Sequence, residues 1–297
     1  MMRSKIFALG FFDGVHLGHQ VLLRECIALA EQMNADPAAI TFLQHPQALF
    51  RSDLPPLLLS TQDRQLMLRD YGMTQSVAFP VTKEVMSTPW QDFLAQLMDM
   101  GAIGFVCGDD FRFGSHGEGN AEKLMTFCRE RDLPCVIVPE QTLEGIRISS
   151  THIRKLIEAG DVETASKFLG HPHSLGGDVV QGRHLGRTIG VPTAKVRIPE
   201  GVVVPKLGVY ACTCQLDGKT YVAVTNVGSR PTVGGHQVRS ESWILDFEGD
   251  LYDARIVLQF HKFLRPETKF ESLEALKLQI QQDAALAKTI LQEKDRT

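Results

Sequence analysis

The stretch that decides the fold is GFFDGVHLGH, residues Gly10–His19. It follows the apolar run Ile6–Leu9, which is typical of a buried strand. An amphipathic run from Gly18 to Met33 comes after it and predicts a helix. The two histidines His16 and His19 therefore lie where a strand turns into the N-terminus of a helix.

The chemistry of this stretch favours a phosphate ligand. Backbone N–H groups and the dipole at a helix N-terminus attract anions. Gly14 and Gly18 allow a ligand to approach the backbone closely. The imidazoles of His16 and His19 add hydrogen-bond donors that follow charge as it builds up on a phosphate. The stretch thus predicts a nucleoside triphosphate site that stabilises a transition state at the α-phosphorus.

Composition narrows the class of protein. The 297 residues are enough for two domains, and the net charge of −4 gives no basic bias, so we expect no nucleic-acid partner. No apolar run approaches the roughly 20 residues of a membrane span, so we expect no membrane partner. The six cysteines include no Cys-x-x-Cys, and free buried thiols indicate a reducing cytoplasm. Cys212 and Cys214 alternate in a strand, which favours a packing role.

The N-terminal half alternates apolar runs with helical patterns up to about residue 165. This alternation predicts a parallel sheet with helices on both faces, an α/β fold whose ligands bind beyond the carboxyl ends of the strands. Gly10–His19 and Gly108–Gly114 both directly follow such strands. The predicted strands are Ile6–Leu9, Ala39–Phe42, Ser76–Phe79, Gly104–Cys107 and Cys135–Val138.

The C-terminal half changes to a two-residue alternation after about residue 172. It predicts an antiparallel β-barrel domain, with a tight hairpin at Asp217-Gly218 and a terminal helix from Ser272. The apolar stripe of that helix packs on the barrel or, as the lesser alternative, forms a dimer seam. We place the two domains at residues 1–168 and 169–297. The predicted strands are Gly208–Leu216, Thr220–Val227, Glu241–Phe247 and Ala254–Phe263.

Gly10–His19 resembles the first signature of the bacterial bifunctional riboflavin kinase/FMN adenylyltransferases, members of the His-x-Gly-His nucleotidylyltransferases. The family commonly has Asn where this chain has Phe12 or its neighbour Phe11. The resemblance implies a Rossmann-like nucleotidylyltransferase domain followed by a kinase barrel, with His16 and His19 catalytic. It also implies that ATP is bound by Gly10, Phe11, Phe12, Asp13, Gly14 and Gly18.

Three further N-terminal motifs carry the resemblance. Arg147–Arg154, RISSTHIR, resembles the family's loop that closes on the ATP phosphates. Gly108–Gly114, GDDFRFG, resembles the segment that lines the flavin–nucleotide cleft. Thr41–Pro46, TFLQHP, resembles Thr-Phe-x-Pro-His-Pro, and its His45 is either a phosphate contact or a loop residue. The implied ATP contacts are Ser149, Ser150, Thr151 and Arg154, and the implied flavin contacts are Asp110, Phe111 and Phe113.

In the C-terminal half, residues 182–195 resemble the glycine-rich ATP loop of flavokinases. The family has Asn where this chain has Lys195, and an ammonium cannot coordinate Mg²⁺ although it can pair with phosphate. Glu241 resembles the family's catalytic base, which accepts the proton of the ribityl hydroxyl. The implied ATP contacts are Gly182, Gly186, Arg187, Thr193 and Lys195, with Thr193 on the metal. The implied flavin contacts are Asn226, Arg265 and Glu267.

The expected function is flavin cofactor synthesis. Riboflavin is phosphorylated to FMN by ATP, and FMN is adenylylated to FAD with release of pyrophosphate, with Mg²⁺ balancing the phosphate charge. No Gly-x-x-x-x-Gly-Lys-Ser/Thr loop is present, so the histidines and helix ends must hold the triphosphate. Two alternatives stay open, an FAD synthetase whose barrel phosphorylates poorly and a non-enzymatic flavin sensor. We expect small-molecule substrates and a monomer or weak homo-oligomer.

Overall fold

A computed structural model describes residues 3–180, 191–232, 235–249, 251 and 254–294. Internal contacts divide the chain into two compact units. The first comprises Met1–Leu57 and Thr61–Ser150, and the second comprises Leu58–Ser60 and Thr151–Thr297. The domain boundary expected between residues 168 and 169 stays a prediction.

The first unit is built on a five-stranded parallel sheet in the order β3-β2-β1-β4-β5. Strand β1 lies between β2 and β4, where the strand order changes direction, and a parallel sheet opens a ligand crevice at such a point. This confirms the predicted α/β fold. The strands are β1 Lys5–Leu9, β2 Asp36–Phe42, β3 Gln75–Phe79, β4 Ala102–Gly108 and β5 Cys135–Val138.

Helices cover both faces of this sheet, so β1 is fully buried from Ile6 to Leu9. The predicted helix after the His-x-Gly-His stretch is α1. Sequence analysis did not identify α2, α3 or the small hairpin β6–β7. The helices are α1 Leu17–Gln32, α2 Thr61–Asp70, α3 Lys83–Met86, α4 Trp90–Asp99 and α5 Ala121–Arg129, and the hairpin strands are β6 Thr142–Leu143 and β7 Ile146–Arg147.

The second unit is a closed six-stranded barrel in the order β10-β11-β12-β9-β8-β13, with a terminal helix. This confirms the predicted barrel. Two helices precede it, α6 Ser150–Ala159 and α7 Val162–Leu169, of which α6 begins at the last residue of the first unit. The remaining elements are β8 His173–Val180, β9 Ala194–Val196, β10 Gly208–Leu216, β11 Lys219–Thr232, β12 Gly235–Ile244, β13 Arg255–Arg265 and α8 Leu273–Lys294.

The barrel encloses one apolar core and carries α8 on its outer face. Cys212 and Cys214 are fully buried in the core, which confirms their packing role. On the outer face, Ala284 and Ala287 of α8 pack against the barrel strands. The sequence pattern places six residues in the apolar stripe of α8: Leu273, Leu276, Ile280, Ala284, Ala287 and Leu291. The prediction is wrong at Leu273, which is 60% exposed because the buried contacts begin further along the helix.

Ser272 caps α8 as the sequence predicts. Its Oγ accepts a hydrogen bond of 3.1 Å from the backbone N–H of Ala275, which satisfies one of the free donors at the helix start. At the predicted hairpin between β10 and β11, Asp217 and Gly218 both have positive φ, the conformation that a tight two-residue turn requires. Within the described ranges, no helix has both the length and the apolar character needed to cross a membrane.

Candidate active sites

The loop after β1 has a backbone that its own residues dictate. Phe12 adopts the left-handed conformation, with φ 56°, and its ring is buried over Gly10. A Cβ at Gly10 would lie 2.9 Å from Cζ of Phe12, and Gly14 has φ 81°. Glycine at these two positions is therefore required by the loop itself, whichever ligand it binds.

His16 and His19 are stacked at the N-terminus of α1. Their ring centroids are 3.7 Å apart and the ring planes differ by 10°. His16 is the N-cap of the helix, and its Nδ1 accepts a hydrogen bond of 3.3 Å from the backbone N–H of His19. Because Nδ1 accepts, the proton of neutral His16 is on Nε2. The structure thus brings the two predicted catalytic histidines together at the start of α1.

The surroundings of His19 disfavour its charged form. The residue keeps part of its surface exposed, yet its Nδ1 is sealed from solvent and has no hydrogen-bond partner in the described part of the chain. Burial holds the pKa of His19 well below its usual range, and His16 and Arg64 lower it further. His19 is therefore neutral at pH 7, and an anionic ligand would favour its protonation.

Two hydroxyl groups hold this loop in place. The Oγ1 of Thr41, which is buried in β2, donates to the carbonyl of Phe11 at 2.8 Å. The Oγ of Ser150 donates to the carbonyl of Asp13 at 2.9 Å. The His-x-Gly-His stretch and the Ser-Ser-Thr motif, more than 130 residues apart in the sequence, are thus in direct contact.

The remaining residues of the Ser-Ser-Thr motif divide between the units. Ser149 belongs to the first unit and is half-buried. Thr151 and Arg154 belong to the second, where Thr151 is exposed and Arg154 is buried. Their roles as phosphate ligands stay predictions.

The GDDFRFG segment separates into an exposed polar part and a buried aromatic part. Asp110 is exposed, and its carboxylate lies 2.7 Å from Nη2 of Arg147, which also pairs with Glu140 at 2.9 Å. Phe111 and Phe113 stack with ring centroids 5.7 Å apart. Phe113 is only 5% exposed and packs in the core of the sheet, so its ring supports the fold, while Phe111 keeps an exposed face.

Arg64 of α2 is a buried residue beside the Gly10–His19 loop that the sequence motifs did not indicate. Its side chain is fully buried, Nη2 donates to the carbonyl of Phe42, and the guanidinium lies 4.5 Å above the ring of Phe11. No motif marks this residue. The available signal was an arginine on the same face of a helix as the buried Leu68, four residues on.

In the barrel, the predicted kinase residues lie in one row across neighbouring strands. The register pairs Lys195 of β9 with Glu241 of β12, and Glu241 with Asn226 of β11. Asn226 is paired with Val209 of β10, and Val209 with Arg265 of β13. Directly paired residues share a face, and Val209 packs against the α8 side, so this row lies on the outer face.

Side chains of this row form an ion pair and a hydrogen bond. The Nζ of Lys195 lies 3.5 Å from Oε1 of Glu241, with 14% and 27% of the two side chains exposed. The Nδ2 of Asn226 donates to Oε1 of Glu267 at 3.1 Å. Three predicted flavin or phosphate residues and the predicted base are thus close neighbours. Thr193 is exposed just before β9, whereas Gly182, Gly186 and Arg187 lie outside the described residues.

Arg265 has a partner that the sequence did not indicate. Its Nε and Nη2 donate to both carboxylate oxygens of Asp283 in α8, at 2.8 to 3.1 Å. Gln279 donates to the same carboxylate at 3.0 Å. Arg265 therefore joins the terminal helix to the barrel, and any flavin contact must come from what remains of its guanidinium.

Family models match both halves of the chain. The model described as FAD synthetase matches residues 1–152, and the one described as riboflavin kinase matches residues 169–291. The FAD synthetase model alone covers more than half of the chain.

Several bacterial proteins named bifunctional riboflavin kinase/FMN adenylyltransferase are similar over nearly the whole length. The Listeria monocytogenes protein is 34% identical over 94% of this chain and 90% of its own. The Pseudomonas fluorescens protein is 32% identical over 97% and 93%, and the Escherichia coli K12 protein 33% over 95% and 91%.

A solved structure from Streptococcus pneumoniae, titled a macrolide-efflux protein, superposes with a TM-score of 0.86 at 31% identity, covering 97% of this chain and 95% of that one. Its title describes that protein alone, and the match supports the same two-part fold. Taken with the two family models and the full-length relatives, it shows that this chain belongs to the family of bifunctional riboflavin kinase/FMN adenylyltransferases.

Proposed function

We propose that this chain makes FAD in two ATP-dependent steps, at two sites. In the first, the 5′-hydroxyl of riboflavin attacks the γ-phosphorus of ATP, giving FMN and ADP. In the second, a phosphate oxygen of FMN attacks the α-phosphorus of a second ATP, giving FAD and pyrophosphate. The observation that carries the proposal is the stacked His16–His19 pair at the carboxyl end of β1, at the sheet's switch point.

The adenylylation step needs no covalent nucleophile from the protein. The Nε2–H of His16 is oriented by the helix cap, and neutral His19 takes up a proton or donates a hydrogen bond as the α-phosphate gains charge. Backbone N–H groups at the start of α1 add the helix dipole. We assign phosphate binding to this loop, to Ser149 and Ser150, and to Thr151 and Arg154 of α6.

In the phosphorylation step, Glu241 is the group that accepts the proton of the ribityl hydroxyl. We assign Asn226 and Glu267 to flavin binding. Their side chains are hydrogen-bonded to each other, and Asn226 is paired with Glu241 in the barrel. Lys195 is held next to Glu241, which supports a role on the transferred phosphate. Thr193 is assigned to ATP on its place in the motif alone.

The ammonium group of Lys195 cannot serve as a ligand for a divalent cation. An ammonium has no lone pair to offer, and here it pairs with the nearby carboxylate. Among the described residues, no three or more His, Cys, Asp or Glu side chains are grouped as metal ligands. Mg²⁺ enters the proposal as the counter-ion that ATP brings with it, with Thr193 as its one assigned protein contact.

We further propose that the enzyme acts on free riboflavin, FMN and ATP as a monomer or weak homo-oligomer. A cytoplasmic location agrees with the six cysteines, all of which are free thiols and five of which are buried.

The test is a time course with riboflavin, ATP and Mg²⁺, with FMN and FAD separated by chromatography. We expect FMN to rise first and then to be converted to FAD. FAD from supplied FMN, with no FMN from riboflavin, would support the alternative of an FAD synthetase alone. If the protein binds flavin but forms neither FMN nor FAD, the alternative of a non-enzymatic flavin sensor would be supported.

A further inference from the structure

Arg64 is a buried cation that the motifs of this chain do not explain. The residue has no exposed surface. Of its three guanidinium nitrogens, Nη2 donates to the carbonyl of Phe42, while Nε and Nη1 have no hydrogen-bond partner among the residues the structure describes. A buried charge with two unused donors destabilises a fold unless an anion compensates it.

The guanidinium of Arg64 lies against the Gly10–His19 loop. The guanidinium is 4.5 Å above the ring of Phe11, one of the two neighbouring positions, Phe11 and Phe12, at which the family resemblance has an asparagine. The ring of Phe11 also meets the ring of His45 edge-on, with centroids 5.4 Å apart. A flat guanidinium on an aromatic face keeps its charge in a water-poor site. Phe11 thus contacts both the buried Arg64 and His45.

Two groups of the same loop act electrostatically with Arg64. Its charge contributes to the lowered pKa of His19. Burial lowers the pKa of Arg64 to about 10, and the carboxylate of Asp13 opposes this change. Arg64 therefore stays protonated at neutral pH, and its positive field reaches the residues that surround the histidine pair.

We propose that Arg64 is an electrostatic positioning residue of the nucleotide site, one that strengthens binding of the triphosphate and of pyrophosphate without touching them. The inference rests on the proposed adenylylation at the His16–His19 loop. A polyanion on that loop adds to the partial compensation that the Asp13 carboxylate gives this cation, so part of the binding free energy comes from attraction to the Arg64 charge. At an effective dielectric constant near 20, attraction between a buried unit charge and a nearby polyanion corresponds to about a tenfold or larger change in affinity.

The test is calorimetric titration of the full chain with inorganic pyrophosphate. Arg64→Met keeps a long side chain and removes the charge, and Arg64→Lys keeps the charge. Arg69→Met is the matched control, because Arg69 lies on the same helix but is exposed. We expect pyrophosphate affinity to fall about tenfold or more in Arg64→Met, and to stay within about threefold of wild type in the other two.

Thermal unfolding of the same proteins separates electrostatics from packing. We expect the midpoint of Arg64→Met to stay within a few degrees of wild type, because the lost hydrogen bond is offset by removal of an unpaired buried charge. Affinity lost equally in Arg64→Met and Arg64→Lys, with both midpoints lowered, would overturn the proposal in favour of a packing role.

Wild-type affinity in Arg64→Met, in a protein whose wild type makes FAD, would overturn the role of Arg64 alone. A wild type that neither binds pyrophosphate nor makes FAD would overturn the proposed adenylylation as well.

Discussion

The ammonium of Lys195 lies 3.5 Å from the carboxylate of Glu241, across the β9–β12 pair of the barrel. The predicted general base of the kinase is therefore held by a cation at the position where the resemblance has a neutral asparagine. The pair places a positive charge where the proposed metal–ATP complex would approach. This relationship separates the chain from the pattern of its family and leads to the first prediction.

Lys195→Asn is expected to lower the Mg²⁺ concentration needed for FMN formation, because repulsion between the ammonium and the metal is removed. The measurement is the initial rate of FMN formation against Mg²⁺ at fixed ATP. Lys262→Asn is a matched control, since Lys262 also lies on the barrel 3.5 Å from a glutamate, Glu163. If Lys195→Asn abolishes FMN formation at every Mg²⁺ concentration, the lysine is a phosphate ligand and the repulsion argument fails.

The Arg265–Asp283 pair is expected to stabilise the barrel. Asp283→Ala leaves the guanidinium, 20% exposed, without its bidentate partner, and we expect the free energy of unfolding to fall by about 2–4 kcal/mol. Lys288→Ala breaks another ion pair between α8 and the barrel, but its partner Asp246 is 77% exposed, so a change below about 1 kcal/mol is expected. Urea unfolding measures both. Equal losses of unfolding free energy from the two substitutions would contradict the stabilising role of the Arg265–Asp283 pair.

A fragment of the second unit is expected to fold alone, and to be more stable when it includes α6 and α7. Val162 of α7 is fully buried in the barrel core, and the carbonyl of Ile157 accepts from the N–H of Lys206 at 3.2 Å. Burying one valine contributes about 1.5–3 kcal/mol, so fragment 151–297 should melt at a higher temperature than fragment 170–297. A shorter fragment with the same or a higher melting temperature would contradict these contacts.

The two halves differed in how far the sequence could predict them. The strand–helix alternation identified every strand of the parallel sheet, because buried parallel strands are short apolar runs. Two barrel strands, β8 and β9, were not predicted, and β9 has only three residues, too few to show a periodicity. Arg64 was missed for another reason. Its importance comes from packing under Phe11, a contact between residues far apart in the sequence.

His173 is expected to make the barrel unit sensitive to acid. It is 1% exposed, its Nε2 has no hydrogen-bond partner among the described residues, and burial, assisted by His171, lowers its pKa to about 3. Below about pH 6.5, His173 is protonated in the unfolded chain but stays neutral in the folded chain. The free energy of unfolding therefore falls as the pH drops from 6.5 towards 3.

The measurement is the free energy of unfolding at pH 7 and pH 4 for wild type and His173→Leu. We expect the leucine variant to lose up to about 3 kcal/mol less than wild type over that interval. His19, whose pKa is also lowered, is present in both proteins, so its contribution cancels in the comparison. Identical losses would show that His173 is protonated in the folded state.

The central claim is that one chain carries two separate active sites, and a crossed product assay tests it most directly. His19→Ala and Glu241→Gln are each supplied with ATP and either riboflavin or FMN, and FMN and FAD are quantified. We predict that His19→Ala still converts riboflavin to FMN while FAD formation falls about 10²–10³-fold, since a donor to the transition state is lost. Glu241→Gln should make FAD from FMN but no FMN from riboflavin. Unchanged FAD formation in His19→Ala, or loss of both products in either variant, would contradict the account.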